Sequence, residues 1–224
     1  VIAATGVAAC RQVLHGLDNR IVAQIDRDRL ELIEQAIQTG LVKEGDQIAG
    51  IELVRGHGRL TGEKTVQVTA DDGTTTDLVA RHAVAVCTGS AALLPGIPGL
   101  ADIEPWTSRE ATAVQSIPGS LAILGGGVVG AEMATAFASL GADVTIIARS
   151  GLLGGTEPFA GELVAASLRE RGVTVKTGVD VTAARRDDDG RRVLELSDGT
   201  TVMADEVLVA TGRVPRTTDL GLDT

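Results

Sequence analysis

Two hydrophobic rhythms alternate between residues 119 and 207. The apolar runs at 121–124, 143–148 and 173–177 are short and rich in β-branched residues, the pattern of strands buried on both faces. Between them, residues 128–140 and 157–171 repeat apolar residues at helical spacing. The second helix is predicted to bury Phe159, Leu163, Val164 and Leu168 and to stop at Gly172. This strand–helix order predicts an α/β fold with a parallel sheet.

A third rhythm, strict alternation broken by Asp-Gly, occurs twice. Residues 65–95 read TVQVTADDGTTTDLVARHAVAVCTGSAALLP, and residues 193–215 read VLELSDGTTVMADEVLVATGRVP. Asp72-Gly73 matches Asp198-Gly199, and Thr88-Gly89 matches Thr211-Gly212. Asp-Gly between alternating runs signals a hairpin, so each copy predicts a β-meander leading into a buried strand. Upstream, Ile25, Leu30, Ile33 and Ile37 predict an amphipathic helix over 20–39 that ends at Gly40. Residues 51–54 predict a strand, and Gly56-His57-Gly58 a turn. Pro95, Pro98, Pro105 and Pro118 mark residues 90–118 as a linker. The repeat predicts two dinucleotide-binding domains in tandem. No glycine motif in residues 1–64 matches the one at 125–130, and the chain opens on Val1. It is expected to be an internal piece of a longer protein.

The strand over 121–124 runs into Gly125, Gly127 and Gly130, spaced G-x-G-x-x-G, and a helix follows. In this context the spacing predicts a cradle for the pyrophosphate of a dinucleotide. Gly125 permits the tight turn, Gly127 lets the backbone approach phosphate, and Gly130 lets the helix pack on the strand. The helix N-terminus adds free N–H groups and the positive end of its dipole. Gly126, Val128 and Val129 complete the predicted contact set.

The end of the second strand reads Ile147-Ala148-Arg149-Ser150, with no acid at the position that would accept from a ribose 2′-hydroxyl. Arg149 admits two readings. It can offer a planar fork to a 2′-phosphate, with Ser150 adding a hydroxyl, or it is a solvated turn residue. The first favours NADPH and leaves NAD possible.

Bulk properties narrow the field. Formal net charge is −10, which disfavours nucleic acid and anionic membrane as partners. No apolar run approaches the length of a transmembrane helix. Cys10 and Cys87 stand far apart without C-x-x-C spacing, and no His/Cys/carboxylate cluster suggests a metal. Arg185, Arg186, Arg191 and Arg192 read as hairpin surface charges neutralised by Asp187–Asp189.

Taken together, the sequence resembles the pyridine nucleotide-disulfide oxidoreductase family, which includes lipoamide dehydrogenase, glutathione reductase and mercuric reductase. The resemblance rests on Cys87-Thr-Gly-Ser90 with Pro95-Gly-Ile-Pro-Gly99, on Thr107-Ser-Arg-Glu110, on Gly125 to Glu132, and on Asp205 to Pro215. The strand end Ile147-Ala-Arg149 is most similar to the mercuric reductase branch. The resemblance implies an NAD(P)-binding Rossmann-like domain, a parallel sheet with a β-meander, inserted in a partial FAD-binding domain of the same type. The expected division is 1–117 for the partial FAD domain, 118–207 for the NAD(P) domain and 208–224 for the return segment.

It further implies hydride transfer from NADPH to FAD and on to a disulfide or other acceptor. Thr88, Gly89, Thr211, Gly212 and Arg213 would lie near the flavin, and Glu132 by the junction of nicotinamide and flavin. The family's C-x-x-x-x-C pair, its first glycine motif and its dimer domain are absent from these 224 residues. No catalytic residue is therefore expected within them. Alone, the chain is expected to hold no FAD and turn nothing over. The full-length protein is expected to be a cytoplasmic homodimer acting on a small molecule or disulfide. Two alternatives remain open: an electron donor of the flavin or ferredoxin reductase type, and a non-enzymatic nucleotide-binding module.

Overall fold

In a computed structural model, the described residues are 2–4, 20–23 and 52–223. They form two compact units, Val1–Ala91 with Pro215–Thr224, and Ala92–Val214.

The first unit contains strands β1 (Ile2–Ala4), β2 (Arg20–Ala23) and β3 (Glu52–Arg55), then β4 (His57–Gly62), β5 (Thr65–Thr69), β6 (Thr75–Val79) and β7 (Ala85–Cys87). β3, β2, β1 and β7 make a parallel sheet in that order. β4, β5 and β6 form the antiparallel meander, turning through Gly73 at φ 84°. Val66, Val68 and Leu78 are its buried apolar set. Gly56 alone makes the bend before the meander, and His57 and Gly58 belong to β4 rather than to a turn. A side chain at Gly56 would meet the Thr69 carbonyl oxygen at 2.5 Å. The helix expected over 20–39 is corrected at its start. Arg20–Ala23 pairs with β1 and β3 as a strand, because partners on both sides outweigh a helical spacing that begins only at Ile25. Residues 24–39 lie outside the described residues.

Strand β8 (Ser90–Ala92) leads into the second unit. There follow α1 (Ser108–Ala113), β9 (Ser120–Leu124), α2 (Val128–Ser139), β10 (Asp143–Ala148), α3 (Pro158–Glu170), β11 (Thr174–Thr177), β12 (Val181–Arg186), β13 (Arg192–Leu196), β14 (Thr201–Ala204), β15 (Glu206–Val209) and the exit strand β16 (Arg213–Pro215). β11, β10, β9 and β15 form a parallel sheet in that order, the same arrangement as in the first unit. Both faces are covered. Leu121, Ile123, Val144, Ile146 and Leu208 pack on α2 and α3. Ala122, Leu124, Ile147, Val207 and Val209 alternate to the other face, against Leu194, Leu196 and Val202 of the meander. This double burial is why the strands read as continuous apolar runs.

The expected linker is built into this unit. Leu100 and Ile103 are fully buried in the core on the meander side. Trp106 extends the parallel sheet beside Leu208: its N–H donates to the Val207 carbonyl at 2.7 Å, and its carbonyl accepts from Val209. Residues 93–105 carry no helix or strand, yet burial is not prevented, and a short helix, α1, forms before Pro118. The face of α3 also differs from expectation. Leu168 is buried and Val164 packs on the core, but Phe159 and Leu163 are 63% and 64% exposed. Gly161 and Ala165 take the inward positions instead, because the neighbouring backbone comes too close for large side chains.

The hairpin arginines are paired, though not to Asp187–Asp189. Arg185 meets Glu195, Arg186 meets Glu104, Arg191 meets Asp205, and Arg192 meets Glu206 at 2.9 Å. Burial raises the Glu206 carboxyl above its ordinary range, and Arg192 offsets this only in part. Asp187 instead closes its own turn, its carboxylate accepting from the N–H groups of Asp189 and Arg191.

Two predictions follow from this packing. Leu168→Ala should lower stability by about 2–5 kcal/mol, whereas Leu163→Ser should change it by less than about 0.5 kcal/mol, both read by urea unfolding. The second concerns the start of α1, where Glu110 accepts from the Thr107 N–H at 2.7 Å and from its hydroxyl at 2.6 Å. Burial pushes the Glu110 carboxyl up, but the Thr107 hydrogen bonds outweigh it and hold it below its ordinary value. A depressed acid stabilises the fold above its unfolded pKa, and that contribution is lost as pH falls through the folded value. Glu110→Gln should therefore be less stable than wild type at neutral pH, by only about 0.5 kcal/mol because water screens this exposed group, and the gap should close with acidification below the ordinary carboxyl range.

Candidate functional site

At the carboxyl ends of β9, β10, β11 and β15 the second unit opens into a cleft of about 770 Å³. Open parallel sheets bind ligands at this edge, where strand order reverses. Here the switch lies between β10 and β15, on either side of β9.

The glycine turn forms the floor. Gly125 has φ 119°, and a side chain there would meet the Ala210 carbonyl oxygen at 2.4 Å. Its N–H donates to Ile147 at 2.8 Å, which ties the turn to β10. A Cβ on Gly130 would lie 2.0 Å from the Gly125 carbonyl oxygen. Only glycine therefore lets α2 begin this close to the strand end. Gly127 differs from both. It precedes α2 with an ordinary φ of −76°, and a Cβ there would meet nothing within 4 Å. No side chain caps the helix at Gly127. The first N–H groups of α2 thus open into the cleft beside empty space that a side chain would fill. That is the geometry a phosphate needs, so these residues fit the pyrophosphate of a dinucleotide.

The walls come from four loops. Ala148 ends β10, Arg149, Ser150, Gly151 and Gly154 follow it, and Val179 and Asp180 follow β11. Val128 and Val129 present exposed apolar side chains at the start of α2. Thr211, Gly212 and Arg213 close the far end. The Thr211 hydroxyl donates to the Leu93 carbonyl at 3.0 Å, and the Leu93 N–H returns a bond to Gly212 at 2.9 Å. Arg149 is exposed and has no ion-pair partner among the described residues.

Most of the residues singled out by sequence come together here: Gly125, Gly126, Gly127, Val128, Val129, Ala148, Arg149, Ser150, Thr211, Gly212 and Arg213 all line the cleft. Gly130 sits just behind it, buried in α2. Glu132 is exposed on α2 and does not line it. Thr88 and Gly89 belong to the first unit. There the buried Thr88 hydroxyl donates to the Arg216 carbonyl, and the Arg216 N–H donates to Gly89 at 2.9 Å. Sequence reasoning missed Val179, Asp180, Leu93 and Ser108. The first two follow directly from reading the third parallel strand to its carboxyl end. Among the described residues no group of His, Cys, Asp and Glu could hold a metal ion, and no helix is long and apolar enough to cross a membrane.

The profile of the pyridine nucleotide-disulphide oxidoreductase family matches residues 4–224. A mercuric reductase of Shigella flexneri is 37% identical over 198 residues, covering 87% of this chain and 34% of the relative. A dihydrolipoyl dehydrogenase of Haloferax volcanii is 32% identical over 191 residues, covering 83% of this chain and 40% of the relative. Among solved structures, the Cu(II) complex of the HOCl-induced flavoprotein disulfide reductase RclA from Escherichia coli shares the fold. Its TM-score is 0.81 over 99% of this chain and 58% of its own, at 20% identity. LpdA from Mycobacterium tuberculosis gives 0.73 over 99% and 60%, at 23% identity.

The two glycines separate fold from binding. Gly130→Ala should destabilise the second unit by about 1–3 kcal/mol or more through overpacking. Gly127→Ala should leave the urea midpoint near wild type, because its φ suits alanine and the space is open, yet weaken titrated NADPH. Equal destabilisation by both variants would refute this division.

Proposed function

This chain belongs to the pyridine nucleotide-disulphide oxidoreductase family, and on that premise we propose that its second unit binds NADPH within an FAD-dependent oxidoreductase. The single observation that carries the reading is the open space at Gly127 beside the uncapped start of α2. The first unit, with its matching sheet order, is assigned to the flavin side. Thr88 and Gly89 lie in it.

When bound, the nicotinamide coenzyme supplies a hydride that passes to flavin and then to a disulfide or another acceptor. The chain's own residues bind and orient. The N–H groups at the start of α2 hold the pyrophosphate, supported by the positive end of the helix dipole. Val128 and Val129 give an apolar wall that displaces water from the bound dinucleotide. Arg149 offers its guanidinium to the adenosine 2′-phosphate, and Ser150 adds a hydroxyl donor. The absence of an acid at the end of β10 removes the group that would repel that phosphate.

Titration of the chain with NADPH and NADH tests this. Wild type should prefer NADPH, and Arg149→Glu should weaken NADPH by about tenfold or more while changing NADH little. Equal affinity for the two coenzymes in wild type would return Arg149 to a solvated turn residue. Loss of neither coenzyme on Gly127→Ala would remove the cleft from the account.

A further inference from the structure

The loop that follows Arg149 packs closely on two sides. On one side is the glycine turn. The Leu153 N–H donates to the Gly126 carbonyl at 2.7 Å. A side chain on Gly126 would meet the Ala148 Cβ at 2.8 Å, the Leu152 Cδ2 at 3.0 Å and the Gly151 carbonyl oxygen at 3.3 Å. On the other side is α3. A Cβ on Gly161 would lie 2.1 Å from the Leu152 carbonyl oxygen, a backbone atom. Leu152 is itself 4% exposed and packs in the same core as Ala165 and Leu168.

The loop is also shaped to stay there. Leu153 sits at φ 51°, a conformation that non-glycine residues rarely adopt. Its carbonyl accepts from both the N–H and the hydroxyl of Thr156, each at 2.8 Å. At Gly154 a Cβ would make only an ordinary contact with the Ser150 hydroxyl, and at Gly155 it would meet open space. The fixed part is therefore Ser150–Leu153, the segment that continues directly from Arg149.

We infer that Gly161, which does not line the cleft, is a positioning residue for coenzyme choice: its bare backbone lets the Leu152 carbonyl seat on α3, and this holds Arg149 and Ser150 at the adenosine end of the cleft. Any side chain at 161 must drive Leu152 outward, and the glycine turn opposite cannot give way. The displacement is delivered to Arg149 and Ser150. It leaves the start of α2 in place, because that position is set separately by the Gly125 and Gly130 contacts. This inference rests on Arg149 reading the 2′-phosphate.

The test uses 2′,5′-ADP and 5′-AMP as probes of the adenosine end, titrated calorimetrically into the whole chain. The variants are Gly161→Ala, Arg149→Ala and the double variant. Displacement of this kind should weaken 2′,5′-ADP about tenfold or more in Gly161→Ala, with 5′-AMP changed far less. The double variant should lose less than the sum of the two single losses, because Gly161→Ala acts largely through the Arg149 contact that Arg149→Ala already removes. Leu152→Val, which loosens the same seat without a clash, should shift the ratio in the same direction and provides the answer if Gly161→Ala does not fold. Wild-type affinities in Gly161→Ala, or equal weakening of both probes, would overturn the inference. An unchanged probe ratio in Arg149→Ala would instead overturn the Arg149 reading, a separate result.

Discussion

The second unit depends on one close approach, the start of α2 against the end of β9. With Gly130 lacking a Cβ, the helix begins within contact of the Gly125 carbonyl. That contact fixes where the helix axis crosses the sheet. It places Ala131, Ala134 and Phe137 in the core and leaves the start of the helix without a side-chain cap. A larger residue at 130 would push the axis outward by the width of a methyl group. The core against Leu121 and Ile123 would then open at the same moment as the cradle moved. Fold and cleft are thus consequences of one steric fact, which is why glycine spacing is so informative here.

The same principle recurs through the unit. Gly99 approaches the Ala184 carbonyl, where a Cβ would lie at 1.9 Å, and Gly161 approaches that of Leu152. In each case backbone packs on backbone, and the apolar side chains around it seal the contact. A chain with few aromatic residues gains its density this way, by bringing elements close instead of filling wide gaps with rings. Trp106 and Phe137, with ring centroids 6.1 Å apart, are the exception and mark the place where the added edge meets α2.

How much of this was legible in the sequence follows from which interactions are local. The glycine turn, the strands at 121–124 and 143–148 and both Asp-Gly hairpins are written in contiguous residues, and the structure places them within a residue or two of expectation. The parallel strands at Ile2–Ala4 and Arg20–Ala23 were not legible, because their pairing partners lie far along the chain and the runs are too short to declare a period. The burial of Leu100 and Ile103 was hidden by prolines, which report local backbone freedom and say nothing of distant packing. The phase of α3 misled for a related reason. Helical spacing places Val164 and Leu168 on the core as expected, but the larger Phe159 and Leu163 stay exposed while Gly161 and Ala165 turn inward. The backbone of Leu152 decides the matter, and nothing near Gly161 in sequence announces it. In the cleft, the turn and Arg149 could be read directly. Leu93 and Ser108 could not, since only the folded chain brings them to the cleft.

The charge pattern sharpens the proposed role of Arg149. The chain carries a formal net charge of −10, which by itself repels an anionic coenzyme. At physiological ionic strength such a field is screened over about 8 Å, so affinity is decided by groups in contact. Among the hairpin arginines each has a carboxylate beside it, and Arg192 with Glu206 is largely withdrawn from water. Those cations are consumed within the fold. Arg149 stands apart from that pairing at the cleft edge, next to the helix N-terminus. Among the described residues no carboxylate pairs with Arg149, and under the proposed reading its charge is the one a 2′-phosphate would meet. A guanidinium also suits a phosphate better than an ammonium does, because its fork engages two oxygens at once. The local positive charge of the cleft is therefore set by position within an otherwise acidic chain, and the loop that holds Arg149 in place is as much a part of the proposed site as the cation itself.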